Sequence, residues 1–210
     1  MKHVFEFALC VDTTGLGFVI KGDATEIFHG VLDKLSEEYK ENLAVRVRLL
    51  AFRDYETEKT EAMTPTPFFH IPEETEAFQK AFEALPEGGG GDPEENGLEA
   101  IHIALNGEWD TENVDSTRII LLITDSDAVP LLARKGCEGY PEDMVDFNGL
   151  KKEWNEDDHN HLLILIAPKN TYYEQLSKEC DCVLFYENYD ENALSVNAVI
   201  NTITDVLVQR

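Results

Sequence analysis

The stretch HVFEFALCVDTTGLG, residues 3–17, sets the fold. Its first nine residues, His3 to Val11, form an almost unbroken apolar run, the pattern of a strand covered on both faces. Asp12-Thr13-Thr14-Gly15-Leu16-Gly17 follows at once and has the small, polar character of a turn. A helical period comes next: Ile20, Ala24, Ile27, Phe28, Val31, Leu32, Leu35 and Tyr39 recur every three or four residues, with Lys34, Glu37, Glu38 and Lys40 on the other face. A dry strand that feeds an amphipathic helix opens an α/β sheet.

Outward from there the alternation continues. Leu43 to Phe52 carries Val45, Val47 and Leu49 opposite Arg46 and Arg48, which predicts a strand with one face less covered than the first. Met63 to His70 holds Pro65 and Pro67, which cannot donate to a ladder, so it is expected as an antiparallel edge strand. Glu73 to Leu85 reads as a helix that ends before the glycine run Gly88 to Gly91. Asp92-Pro93-Glu94-Glu95 then has the form of a helix start, with Asp92 as N-cap and Glu95 as its capping-box partner. Arg118 to Thr124 is another continuous apolar strand. A helix from Phe147 to Asn155, a strand from His161 to Ala167, a helix from Tyr172 to Cys180, a strand from Cys182 to Tyr186 and a helix from Ala193 to Gln209 complete the chain. Strands alternating with helices predict three layers: a mostly parallel central sheet with one antiparallel edge strand, and helices on both faces. With no linker-like stretch, residues 1–210 are expected to form one domain.

Forty-two Asp and Glu against seventeen Lys and Arg leave a formal charge of −25, a field that repels phosphate backbones and anionic lipid heads. Nucleic acid and membrane are therefore excluded as expected partners, and cations or the basic patch of another protein are favoured. The apolar run at the amino terminus is short and contains Glu6, unlike a signal peptide or a membrane span. Cys10, Cys137, Cys180 and Cys182 have neither zinc-ligand spacing nor a disulfide framework, which suits a reducing cytoplasm.

In an open parallel sheet ligands bind outside the carboxyl ends of the strands. Three loops carry acids there: Asp12 and Thr14 after the first strand, Asp92 after the glycine run, and Asp125 in Thr124-Asp125-Ser126-Asp127. Converging carboxylates repel unless protons or a cation neutralise them, which points to a hard, oxygen-loving ion, Mg²⁺ first, with Mn²⁺ or Ca²⁺ as alternatives. Each residue also has a structural reading, Asp12 as a turn cap and Asp92 as a helix cap. Asp54, Tyr55, Asp127 and Tyr140 are expected on the rim around these loops, where a partner would dock. The glycine run lacks the Gly-Lys-Ser/Thr of a phosphate-binding loop, and His159 and His161 fit a surface turn beside Asp157.

The order of these loops resembles the von Willebrand factor A (vWA) family, whose metal-ion-dependent adhesion site draws ligands from three loops at one end of a Rossmann-like sheet. In that family the first strand ends in Asp-x-Ser-x-Ser. Here Asp12 and Thr14 match, while Leu16 replaces a hydroxyl ligand. Counting back from Gly97, Asp92 stands where the family has a Thr, and Asp125 matches the third-loop Asp, although Pro130 comes later than in the pattern. Ala51-Phe52-Arg53-Asp54-Tyr55 and Gly89-Gly90-Gly91-Asp92-Pro93-Glu94 are similar to a prokaryotic, intracellular subgroup with a degenerate site. The resemblance implies a non-enzymatic adaptor that binds another protein, an acidic side chain of which completes the coordination of the ion. The alternative is a metal-assisted phosphohydrolase with Asp12 as nucleophile and Asp125 and Asp127 as metal ligands. It lacks the second Asp expected where Thr14 stands.

Overall fold

The computed structural model describes residues 2–15, 17–89, 93–110, 116–157, 159–187 and 196–209, the side chains of residues 17–20 excepted. The opening apolar run forms β1 (His3–Asp12), which takes in Asp12 as its last residue. Phe5, Phe7, Leu9 and Val11 face one core and Ala8 and Cys10 the other, so the strand has no wet side. The chain continues through α1 (Gly17–Tyr39), β2 (Leu43–Phe52), α2 (Tyr55–Glu58), β3 (Met63–Pro65), β4 (Phe69–Ile71), α3 (Thr75–Glu83), β5 (Glu94–Glu95) and α4 (Gly97–Leu105). Next come β6 (Thr117–Ile123), β7 (Asp127–Ala128), α5 (Phe147–Glu156), β8 (His161–Ala167), α6 (Tyr172–Glu179), β9 (Val183–Glu187) and α7 (Val196–Val208).

The main sheet runs β3-β2-β1-β6-β8-β9, with β4 also on β2. All pairs are parallel except those that β3 and β4 make with β2. The connections run outward from β1 in opposite directions, to β2 on one side and β6 on the other, so the crevice between their carboxyl ends is the topological switch point. Helices α1, α3 and α7 cover one face through Phe28, Phe78 and Ile203 among others. Helices α4, α5 and α6 cover the other through Leu98, Trp154 and Leu176. Among the described residues no helix is long and apolar enough to cross a membrane.

Three expectations change. The antiparallel edge is two short strands rather than one, because Thr66-Pro67-Phe68 interrupts it. Thr66 nevertheless keeps bonding to Leu49, by its amide to the carbonyl (2.9 Å) and by its hydroxyl from the amide (2.9 Å). The face of β2 that carries the arginines is not left open. Arg48 is buried and donates to the Ile103 carbonyl at the end of α4 (3.2 Å), and the Phe68 ring lies against the guanidiniums of both Arg46 (4.5 Å) and Arg48 (5.4 Å). The helix expected from Asp92 starts at Gly97 instead, because Glu94 and Glu95 are drawn into a parallel pairing with Asp127 and Ala128. Asp92 lies outside the described residues, as do residues 193–195 at the head of the expected closing helix.

At the amino ends of the strands the registers place His70, Arg46, Glu6, Arg118 and His161 in one row across five strands. Glu6 is fully buried at its centre. Its Oε1 accepts from Arg46 Nε (2.8 Å), Arg46 Nη2 and the Asp110 amide (3.1 Å), and its Oε2 accepts from Ser116 Oγ (2.9 Å). One carboxylate thus ties Asp110 and Ser116, both in the α4 to β6 connection, to β1. Breaking a buried ion pair by removing one partner is costly because the other charge stays behind, whereas an apolar replacement of both is far milder. Glu6→Ala is therefore expected to lose about 3 kcal/mol, at the low end because the Arg46 side chain keeps 20% exposure. Urea denaturation should show the double variant Glu6→Ala/Arg46→Met recovering part of that loss, and an unchanged midpoint in the single variant contradicts the assignment.

Candidate functional site

The carboxyl ends of β1, β2 and β6 meet the β5 to α4 turn in a densely acidic crevice. Asp12 has no exposed surface. Its Oδ1 accepts from the amide (2.9 Å) and hydroxyl (2.7 Å) of Thr14, and its Oδ2 accepts from the hydroxyl of Thr124 (2.5 Å). The turn-cap reading of Asp12 therefore holds, and it holds together with a place in the crevice. Burial raises the Asp12 carboxyl above the usual range, the bonds from Thr124 and Thr14 pull it back, and the charge of half-buried Asp125 raises it further. The glycine run reaches this turn as well: the Gly88 amide donates to the Thr13 carbonyl (3.0 Å), with Gly88 and Gly89 at φ +85° and +87°, a region that glycine enters without steric cost.

Asp92 and Leu16 both lie outside the described residues; Glu95, three residues after Asp92, is described and enters the crevice. The strand pairing with β7, reinforced by the bond from the Val129 amide to the Glu95 carbonyl (3.0 Å), turns the Glu95 side chain inward to 1% exposure. Among the described residues its Oε2 has no hydrogen-bond partner. Burial, then the charge of Asp12, pushes this carboxyl up to about 8; the Thr14 hydroxyl works the other way, and Asp54 and Glu58 add to the rise. One turn on, buried Glu99 accepts from the Tyr140 hydroxyl (2.9 Å), and burial is the main cause that pushes it up to about 7. Asn96, also buried, accepts from the Tyr55 amide (2.9 Å).

Helix α6 contributes Tyr173, from its first turn. The residue is fully buried and its hydroxyl has no hydrogen-bond partner among the described residues, although the charges of Asp12, Glu99, Asp127 and Glu95 all bear on it and add to a rise caused mainly by burial. The approach depends on Gly97, where a Cβ would stand 2.2 Å from that hydroxyl.

The expected rim is largely covered. Asp54 is 1% and Tyr55 2% exposed, so neither forms a rim. The reason is the segment 129–146, which folds back over them. Arg134 binds Asp54 through Nε (2.8 Å) and Nη2 (2.6 Å) and reaches Glu56 Oε2 through Nη1 (2.7 Å). Tyr140 stays half-buried, its ring against Tyr55 (5.1 Å) and its hydroxyl accepting from the Leu132 amide (3.0 Å). Half-buried Asp127 accepts from the Ala128 amide (2.7 Å). Sequence reasoning missed Thr124, Glu95, Glu99, Arg134 and Tyr173. Thr124 carries a readable signal, a hydroxyl beside the strand-end Asp125, whereas Glu95 was hidden by its fit to a capping box.

Hard oxygen donors dominate the crevice, the chemistry suited to Mg²⁺ or Mn²⁺. Among the described residues, no group of three or more Asp, Glu, His or Cys side chains is spaced to hold a metal ion. Asp12, Thr14, Asp125 and Glu95 share the crevice, and the unpartnered Glu95 oxygen beside Asp12 is the point where positive charge is lacking.

No protein-family model matches the sequence, and no curated protein matches it at a significant level. Among solved structures the chain is similar to the pilus adhesin SpaC from Lactobacillus rhamnosus GG in its open conformation, with a TM-score of 0.53, and to a second structure of that adhesin, with a TM-score of 0.55. Identity is 14% in both, and the match covers all of this chain but 30% of the adhesin. At that identity the likeness shows the fold alone.

Two outcomes follow from this geometry. Arg134→Met leaves Asp54 buried without its cation, an expected loss of about 3 kcal/mol, and hydrogen exchange should rise across residues 129–146; protection unchanged there contradicts the clamp. The second concerns pH. The folded value of Glu95, about 8, lies above its ordinary 4.5, so the folded protein retains a proton that the unfolded chain sheds. Stability present in acid is then lost as pH rises from about 4.5 through about 8, with Glu99 acting in the same direction. Denaturation midpoints of cation-free protein should fall over that window, and Glu95→Gln should flatten the decline.

Proposed function

We propose that the protein is an interaction module of the vWA type that binds another protein through a divalent cation held at the carboxyl ends of its central strands. The observation that carries this reading is Glu95: a buried carboxylate with an unpartnered oxygen, its proton affinity raised by burial and by Asp12, is a group that a cation would relieve. Asp12, Thr14, Asp125 and Glu95 would hold the ion, Mg²⁺ or Mn²⁺ in preference to the larger Ca²⁺, with Asp92 as a further candidate. When bound, the ion supplies a Lewis-acidic position that a partner's carboxylate can occupy. The residues of the chain do the rest: Thr14 and Thr124 fix the orientation of Asp12, and Arg134 and Tyr140 hold the neighbouring segment over Asp54 and Glu99.

The fold is in keeping with such a role, since a pilus adhesin carries a region of the same fold. The charge of −25 makes basic patches on the partner an additional source of attraction. The free thiols of Cys10, Cys137, Cys180 and Cys182 support a place in a reducing cytoplasm. No contact favours the phosphohydrolase alternative: Asp12 has both oxygens engaged and no exposed surface to present as a nucleophile.

Isothermal titration of cation-free protein with Mg²⁺ and Mn²⁺ tests the reading. Saturable heat is expected for the wild type, with loss of affinity of at least about tenfold in Asp125→Ala and Glu95→Gln, the weight of one charged ligand. No saturable heat in the wild type sinks it.

A further inference from the structure

We infer that residues 132–143 form a strap closed over a docking surface for an arginine-bearing segment of a partner protein, with Arg134 seated where the partner's arginine would go. The inference shares with the proposal above that a partner docks at this end of the sheet, and it uses no cation. Its starting point is an imbalance of burial. Asp54, Tyr55 and Glu99, which the strap contacts, have no more than 2% exposure, yet from Leu132 to Asp143 the strap itself has no buried residue. Leu131 and Met144, at 9% and 8%, are the buried anchors that flank it. Its backbone bonds are local: the Ala133, Lys135, Cys137 and Tyr140 amides each donate to the carbonyl three residues back (2.9–3.2 Å). Few buried groups and local backbone bonds are the marks of a segment that opens ahead of the rest of a fold.

Two side chains hold the strap down. Arg134 meets both oxygens of Asp54 with its fork, Nε on Oδ1 and Nη2 on Oδ2, and reaches Glu56 with Nη1. Tyr140 lays its ring on Tyr55, and its hydroxyl donates to Glu99 Oε1 while it accepts from the Leu132 amide. Leu132 stands at φ +70°, a left-handed conformation that costs a leucine energy and that lifting the strap releases. A buried ion pair is no better for stability than a well-packed apolar pair, and its best-attested use is to set register or to switch. Asp54, at 1% exposure, needs a cation beside it whether the strap is down or lifted. Two matched donors in one plane are arginine chemistry, which the point charge of lysine does not reproduce. An arginine supplied by a partner therefore replaces Arg134 without leaving a buried charge alone, and the charge of −25 draws such a partner in.

The test titrates a hexa-arginine peptide, with hexa-lysine as the control of equal charge, into wild type, Arg134→Met and Tyr140→Phe, in chelator and at about 0.15 M salt to screen long-range attraction. Hexa-arginine is expected to bind both variants at least about tenfold more tightly than the wild type, because the strap no longer has to be displaced first. Hexa-lysine should show no such gain. Tyr140→Phe leaves the net charge unaltered, so a gain there is not an effect of the overall field, and unchanged hydrogen exchange in β1 and β6 verifies that each variant keeps its fold. Adding Asp54→Asn to Arg134→Met should abolish the gain. In the wild type, bound hexa-arginine should raise exchange across residues 132–143. Equal affinity in all three proteins, an equal gain with hexa-lysine, or no binding to any of them overturns the inference. Chelator removes the cation from every arm, so this outcome and that of the ion titration are read separately.

Discussion

A carboxylate with no solvent contact must be compensated from within, and at Asp12 the compensation comes from two loops far apart in sequence. Thr14 closes a local turn on one oxygen, while Thr124, at the end of β6, reaches the other across the switch point. These bonds hold together the ends of the two central strands. Around them the order of the sheet follows, because only with β1 between β2 and β6 do the three carboxyl ends surround one crevice. The remaining acids are buried behind them, and burial first, with neighbouring charge second, pushes Glu95 up to about 8 and Glu99 up to about 7.

The two ends of the sheet solve the same problem in opposite ways. At the amino ends, Glu6 is also buried, yet every part of its demand is met by Arg46, the Asp110 amide and Ser116. At the carboxyl ends the compensation is incomplete: Glu95, Glu99 and Tyr173 keep unpartnered polar atoms in an interior where such atoms are costly. Satisfied networks belong to architecture, and deficits of this kind concentrate where function is.

The central strands were legible because their burial on both faces demands continuous apolar runs, and β8 spans the very residues expected, His161 to Ala167. Asp12, Thr14 and Asp125 were legible for a related reason, since polar residues that interrupt such runs at strand ends stand out. What escaped depended on partners distant in sequence. Asp92-Pro93-Glu94-Glu95 satisfies every local rule for a helix start, and the pairing of β5 with β7 overrides them, which turned Glu95 from a cap into a member of the crevice. Asp54 and Tyr55 read as surface residues of a turn until Arg134, eighty positions on, covers them. Tyr173 has no sequence signal at all, because an inward tyrosine one turn into an amphipathic helix reads as ordinary core.

The broken edge formed by β3 and β4 bears on how the molecule behaves in company. Each is three residues long, and Pro65 and Pro67 supply no amide proton to a newcomer. A neighbouring copy that arrives there finds a staggered, interrupted ladder and a surface of the same strongly negative sign. Filament growth by strand addition is closed along that margin, and the protein can stay dispersed at concentrations where a long, regular edge would seed aggregates.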